Sequence, residues 1–144
     1  MIVPDANLLL YAVDESSPHH DAAGKWLEET LSGTETIGFA WVALLAFLRL
    51  STLPKVFRAP LSVDQASGLI ESWLAQPPVV IVHPGERHAV LLHELLQEVG
   101  TAGNLVTDAH LAALAAEHGA VIASADRDFA RFPGVRVQNP LIRT

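Results

Sequence analysis

The order of short apolar runs and longer helical segments is the feature that most constrains the fold of this chain. Five runs of strand length are separated by segments in which apolar residues recur with helical spacing. The runs occupy residues 2–4, 36–39, 79–82, 121–123 and 135–137. Strands that alternate with helices predict a parallel β-sheet with helices on both faces, an α/β/α arrangement. We expect one such domain over residues 1–144, because no linker or repeat divides the chain.

Local signals place several of the boundaries. Ser17 and Pro18 predict the start of the second helix, since proline is favoured at the first helical position. Ser62 and Gln65 have the spacing of a capping box at the start of the fourth helix. The third helix, residues 41–50, is apolar on almost every side and is expected to be buried. The β-branched run 79–82 is typical of a strand that is covered on both faces.

Composition narrows the class of protein. Half of the 144 residues are apolar and 17% are charged, which indicates a globular domain with a core of its own. No apolar run reaches the roughly 18 residues of a membrane span, and no signal peptide is evident, so we expect a cytoplasmic protein. The absence of cysteine excludes disulfides and thiolate metal ligands.

The charge distribution bears on nucleic-acid binding. A net charge of −7 argues against a protein that coats nucleic acid, but it allows an enzyme with a local basic rim. Such a rim and ordinary surface solubility both remain open. Most of the cationic side chains fall in two short stretches, and these are Arg49, Lys55 and Arg58, followed by Arg127, Arg131, Arg136 and Arg143.

Three aspartates stand where a predicted strand meets a predicted helix: Asp5, Asp108 and Asp126. In an open parallel sheet, functional groups collect beyond the carboxyl ends of the strands, so these side chains are expected to converge. Carboxylates held together raise one another's pKa unless a cation neutralises them, which predicts a divalent-metal site. Each aspartate also has a structural explanation as a helix or turn cap, with Thr107 as the cap beside Asp108. On geometry alone, both alternatives stay open.

Other chemistries lack their motifs. The chain contains no glycine-rich nucleotide loop, no Gly-x-Ser-x-Gly nucleophile elbow and no His-Glu-x-x-His pair. A receiver domain also has acids at strand ends, but it needs a late lysine, and the only lysines here are Lys25 and Lys55. Among the seven histidines, His110 is the one of interest, because it lies two residues beyond Asp108.

Three segments resemble the motifs of PIN domains. The opening Asp5-Ala6-Asn7-Leu8-Leu9-Leu10-Tyr11-Ala12 resembles the first motif, residues 103–115 around Asp108 resemble the central one, and residues 124–132 around Asp126 resemble the last. The three occur in the family's order and spacing, and the similarity is closest to VapC toxins. It extends over nearly the whole chain.

The resemblance implies a Mg²⁺- or Mn²⁺-dependent endoribonuclease that cleaves RNA and pairs with a VapB-type antitoxin, as a homodimer. The family's acids at the positions of Asp5 and Asp108 bind metal, and those at Asp126 or Asp128 assist, often through water. We therefore expect Asp5, Asp108, Asp126 and Asp128 to be catalytic, with the first three at the metal. Asn7 is expected to orient Asp5. Arg49, Arg127 and Arg131 are candidate phosphate contacts because they lie near these motifs in sequence.

The chain departs from the family pattern at Ala46. Many PIN domains carry a glutamate there, and no acid occurs anywhere in residues 36–63. This departure puts a second metal in doubt. It also leaves open an alternative function, that of a PIN-fold module with impaired catalysis that binds RNA or antitoxin. A third possibility is a structural α/β domain in which the aspartates only cap helices.

Overall fold

The computed structural model describes residues 1–142 and contains a five-stranded, all-parallel sheet. The strands are β1 (Ile2–Pro4), β2 (Ile37–Phe39), β3 (Val79–Ile81), β4 (Val121–Ala123) and β5 (Val137–Gln138). They lie in the order β3-β2-β1-β4-β5, so β1 is central. The register aligns Pro4 of β1 with Ala123 of β4. The ends of β1 and β4 therefore lie side by side.

Six α-helices connect the strands. They are α1 (Ala6–Val13), α2 (His20–Leu31), α3 (Trp41–Ser51), α4 (Val63–Leu74), α5 (His88–Val99) and α6 (Val106–Glu117). Short 3-10 turns, Gly103–Leu105 and Arg127–Arg131, precede α6 and follow β4. No helix in residues 1–142 is long and apolar enough to cross a membrane.

The two faces of the sheet bury different helices, as alternation along the strands requires. Val3 and Ile122 pack with α5 and α6 on one face. Ile37 and Phe39 pack with α3 and α4 on the other, where Trp73 stacks on Phe39. The predicted α/β/α arrangement with a parallel sheet is confirmed. The prediction that all 144 residues form one domain stays a prediction, and Arg143 of the predicted basic rim lies outside the described residues.

Most predicted boundaries hold to within two residues. The capping box is confirmed, with the Ser62 hydroxyl accepting from the Gln65 amide and the Gln65 side chain accepting from the Ser62 amide. The predicted start of α2 at Pro18 is wrong, because the Ser17 side chain and carbonyl hold a turn that delays the helix to His20. The last strand begins at Val137 rather than at residue 135.

Two predictions about burial are corrected. The β3 strand is not covered on both faces, since it is the edge of the sheet and Val80 is 44% exposed. The helix α3 is not wholly buried either. Its side chains Ala43, Leu44 and Phe47 are buried, but Trp41 and Leu45 are 44% and 56% exposed. Apolar composition did not distinguish a buried face from an apolar surface.

A carboxylate cluster at the sheet's switch point

The candidate site lies where the order of the strands reverses. From β1 the chain builds outward through β2 to β3 and then returns to β4 on the other side of β1. Crevices at such switch points are where open parallel sheets bind ligands. Asp5 follows β1, and Ser124 and Asp126 follow β4, so the topology brings these residues together. The amide of Asp5 donates to the Ala123 carbonyl at 2.9 Å, which joins the two strand ends directly.

Asp5 has both a structural and a site-facing role. One of its oxygens, Oδ1, accepts from the Ala6 amide at 2.8 Å and caps α1, as the structural alternative predicted. The other, Oδ2, accepts from the Ser124 hydroxyl at 2.7 Å. Burial raises the pKa of Asp5, these two hydrogen bonds lower it, and the charge of Asp126 raises it further, with a net upward shift. Asp5 therefore caps α1 and still remains part of the acidic cluster.

Ser124 is the residue that sequence reasoning missed. Its side chain is buried, with the residue only 1% exposed. Because its single proton goes to Asp5, its oxygen accepts from the Asn7 side chain at 3.1 Å and from the Asp126 amide at 2.9 Å. Asn7, which was expected to orient Asp5, contacts Ser124 instead and acts on Asp5 through it. A hydroxyl directly after a buried apolar strand was the available signal.

Asp126 and Asp128 are held by the turn that follows β4. Oδ1 of Asp126 accepts from the Asp128 amide at 2.8 Å and caps the 3-10 turn Arg127–Arg131. The capping explanation thus holds for Asp126 as it does for Asp5. It fails for Thr107, because α6 begins at Val106 and no side chain caps it.

Asp108 lies in the first turn of α6 and completes the cluster. One oxygen atom from each of Asp108, Asp126 and Asp128 lies within 4.8 Å of the others. Burial, followed by the charges of Asp126, Asp5 and Asp128, raises the pKa of Asp108 to about 6. Asp5 is not a member of the 4.8 Å group, although it lines a small pocket together with Asp108. The structure therefore brings all four predicted aspartates to one crevice.

The donor set suits a hard divalent cation. All of the clustered atoms are carboxylate oxygens, which Mg²⁺ and Mn²⁺ accept. Oxygen ligands of an octahedral Mg²⁺ stand about 3 Å apart when adjacent and about 4.2 Å apart when opposite. The separations within this group, none above 4.8 Å, are of the same order. Within residues 1–142 no lysine or arginine forms an ion pair with these four acids. No cation in the described part of the chain therefore balances their mutual repulsion.

Ala46 of α3 lines the small pocket that Asp5 and Asp108 share. Val42, Ala43 and Leu111 provide apolar walls there. The position at which the sequence lacks the family's glutamate is therefore part of the crevice. A methyl group stands where that carboxylate would reach the other acids.

The remaining residues that the sequence singled out lie in different parts of the structure. Arg127 and Arg131 are exposed at the two ends of the turn that holds Asp128, and Arg49 is exposed near the end of α3. Arg136 donates to the Gly119 carbonyl. Gly119 precedes β4, so this contact lies at the amino ends of the strands, opposite the acids.

His110 has a structural contact, since its Nδ1 lies 2.9 Å from Nε2 of His88 on α5. Burial and then His88 lower the pKa of His110.

Comparison with known proteins agrees with this geometry. The family model described as "PIN domain" matches residues 2–135. The chain is 52% identical to Ribonuclease VapC37 of Mycobacterium tuberculosis over 97% of each protein. It is 43% identical to Ribonuclease VapC33 of the same species, over 98% of this chain and 99% of the relative.

Solved structures share the fold at lower identity. A VapBC2 complex of Rickettsia felis bound to a promoter DNA fragment superposes with a TM-score of 0.69, at 21% identity, covering 96% of this chain and 98% of that one. The Mycobacterium tuberculosis toxin VapC20, which cleaves the sarcin-ricin loop, gives 0.67 at 18%, covering 94% and 99%. With a matching family model, close relatives along its whole length and an acidic crevice at the switch point, this chain belongs to the PIN-domain family, among the VapC ribonucleases.

Proposed function

We propose that this protein is a metal-dependent endoribonuclease, the toxin of a toxin–antitoxin pair, which hydrolyses phosphodiester bonds in RNA. The observation that carries the proposal is the convergence of Asp5, Asp108, Asp126 and Asp128 at the switch point, with three of them sharing a 4.8 Å group. The relatives named as VapC ribonucleases support the choice of RNA as substrate.

Asp5, Asp108 and Asp126 would hold Mg²⁺ or Mn²⁺, and Asp128, which shares the 4.8 Å group with Asp108 and Asp126, would assist them. When bound, the ion supplies a water of lowered pKa and positive charge beside the scissile phosphate. The chain's own part is to orient the acids. Ser124 fixes Asp5 from one side, and the amide of Asp128, in the turn after β4, fixes the side chain of Asp126. Asp108, whose pKa is about 6, must lose its proton to act as a ligand.

The test is RNA cleavage by the purified protein. We expect cleavage with Mg²⁺ or Mn²⁺, none with EDTA, and a large loss in Asp5→Asn and Asp108→Asn. Asp64→Asn is the matched control, because Asp64 is exposed in the first turn of α4 and belongs neither to the 4.8 Å group nor to the small pocket. Cleavage that persists in EDTA and in both site variants would refute the proposal.

The second candidate function is an RNA- or antitoxin-binding module with impaired catalysis, and Ala46 is the observation that favours it. The side chain lines the pocket of Asp5 and Asp108, so Ala46→Glu would add a carboxylate there. A strong gain in cleavage by Ala46→Glu supports an impaired site. Unchanged cleavage by an active wild type shows that the four aspartates suffice.

The partners are proposed on the same grounds. The related folds include VapBC complexes, which supports a VapB-type antitoxin as partner. The homodimeric toxin is proposed from the resemblance of the sequence to VapC toxins. Co-purification with the product of a neighbouring small reading frame tests the first, and light scattering of the isolated protein tests the second. The cytoplasmic location expected from the sequence stays a prediction.

A further inference from the structure

One row of side chains on α3 is exposed beside the acidic crevice. Trp41, Leu45 and Arg49 follow one another at four-residue spacing and so lie on one face of the helix. The adjacent row, Val42 and Ala46, lines the pocket that contains Asp5 and Asp108. The exposed row therefore runs next to the carboxylates.

The exposure of Trp41 is unusual within this chain. Trp73 is 5% exposed and packs on Phe39 and Phe47, whereas Trp41 leaves 44% of its surface free. Its place in the sequence explains where it lies. Trp41 begins α3 two residues after Phe39, the last residue of β2, so it stands at the carboxyl ends of the strands, where the acids lie. An aromatic ring at these strand ends is accessible to a ligand that binds in the crevice.

The row combines the two groups that bind single-stranded nucleic acid. Aromatic rings stack on bases of any sequence, and cations attract the phosphates that follow. Trp41 and Arg49 are eight residues apart, or about 12 Å along the helix at 1.5 Å per residue. At about 3.4 Å per nucleotide of a stacked strand, that distance spans roughly 3.5 nucleotides.

We infer that Trp41 is a stacking platform for an unpaired base beside the scissile phosphate, and that Arg49 binds a phosphate further along the same RNA strand. The inference rests on the proposed function, since it concerns how that substrate is held.

A second copy of the chain is the other possible occupant of this exposed row. Trp41 and Leu45 together expose only about 200 Å² of apolar surface, whereas a stable interface needs about 800 Å² per partner. The cationic end of the row also complements RNA.

The test measures binding of a short fluorescein-labelled RNA by anisotropy, with all variants built on Asp5→Asn so that cleavage is suppressed. We expect Trp41→Ala to weaken binding of single-stranded RNA by roughly 5- to 100-fold, and Trp41→Phe to restore most of it. Binding of the same sequence as a duplex, whose bases are already stacked, should change little. Arg49→Gln should weaken both. Val63→Ala is the matched control, because Val63 is a 69% exposed apolar residue on α4.

The cleavage assay adds a separate readout. With Asp5 intact, Trp41→Ala should raise the RNA concentration that gives the half-maximal rate. It should leave the maximal rate and the Mn²⁺ affinity nearly unchanged.

The inference fails, while the proposed function stands, if the wild type cleaves RNA and both Trp41→Ala and Trp41→Phe bind single-stranded RNA like the wild type. An effect of Trp41→Ala on self-association alone would assign the row to a second copy and overturn it. If the wild type does not cleave, the proposed function fails, and the anisotropy comparison still decides the role of Trp41.

Discussion

The hydroxyl of Ser124 donates a 2.7 Å hydrogen bond to Oδ2 of Asp5, across 119 residues of sequence. The bond joins the end of the central strand to the end of its neighbour and orients a partly buried carboxylate at the candidate metal centre. Residues that orient metal ligands in this way commonly change metal affinity or activity by about 10- to 100-fold when they are replaced.

Ser124→Ala should therefore lower RNA cleavage by about 10- to 100-fold without removing any carboxylate. It also leaves the Asn7 side chain and the Asp126 amide without their acceptor, which should cost about 1–3 kcal/mol of unfolding free energy. Single-turnover cleavage and urea unfolding measure the two effects. Ser72→Ala, which removes an exposed hydroxyl that bonds only to the Leu69 carbonyl, is the control. Full activity in Ser124→Ala would show that Asp5 needs no such support.

The raised pKa values of Asp108 and Asp5 predict how stability depends on pH in the metal-free protein. The folded state binds these protons more tightly than the unfolded chain, where the pKa is near 3.8. Their contribution to stability is therefore fully present below pH 3.8 and is lost as the pH rises through about 6. In EDTA, Asp108→Asn should gain stability relative to the wild type as the pH increases over this range. Urea midpoints at several pH values measure the gain. A difference between Asp108→Asn and the wild type that does not change with pH would contradict the prediction.

Mn²⁺ should stabilise the protein against unfolding, because it binds the folded acidic cluster and not the unfolded chain. At a concentration about 100-fold above its Kd, the gain is about 2.7 kcal/mol. Affinity should fall as the pH drops below about 6, where Asp108 takes up its proton. Thermal unfolding with and without Mn²⁺ and calorimetric titration test this. Asp108→Asn and Asp126→Asn should reduce the gain. If the wild type does not bind Mn²⁺, the metal site is refuted, and Asp5 and Asp126 act only as caps.

Gly38 and Gly68 differ in how much space the surrounding packing leaves for an added methyl group. A Cβ on Gly38, in β2, would lie 2.6 Å from Cγ1 of Val82 and 2.9 Å from Sδ of Met1. Val82 is buried and β-branched, so it has little freedom to move, and Gly38→Ala should cost about 1–3 kcal/mol. Gly68 in α4 has open space around it, and Gly68→Ala should stabilise the protein by about 0.5–1 kcal/mol. Urea unfolding compares the two. Wild-type stability in Gly38→Ala would mean that the sheet relaxes around the added methyl group.

Several features of the site follow from local sequence alone. The positions of Asp5 and Asp126 after apolar strands predicted their convergence, because parallel strands bring their carboxyl ends to one edge. The resemblance to PIN domains named the same acids and drew attention to Ala46. Ser124 was not predicted, since its role depends on a strand neighbour that is more than a hundred residues away in sequence.

Periodicity and caps are local properties, so they were enough to predict the alternation of strands and helices, the parallel sheet and the strand ends at which the acids collect. Which residues share a surface depended on the tertiary structure instead. The order of the strands put β3 at the edge and exposed Val80. The packing of α3 buried Phe47 but left Trp41 beside the crevice. The folded crevice, through burial and the neighbouring carboxylates, raised the pKa of Asp108. These properties depend on contacts between distant segments, which no local pattern contains.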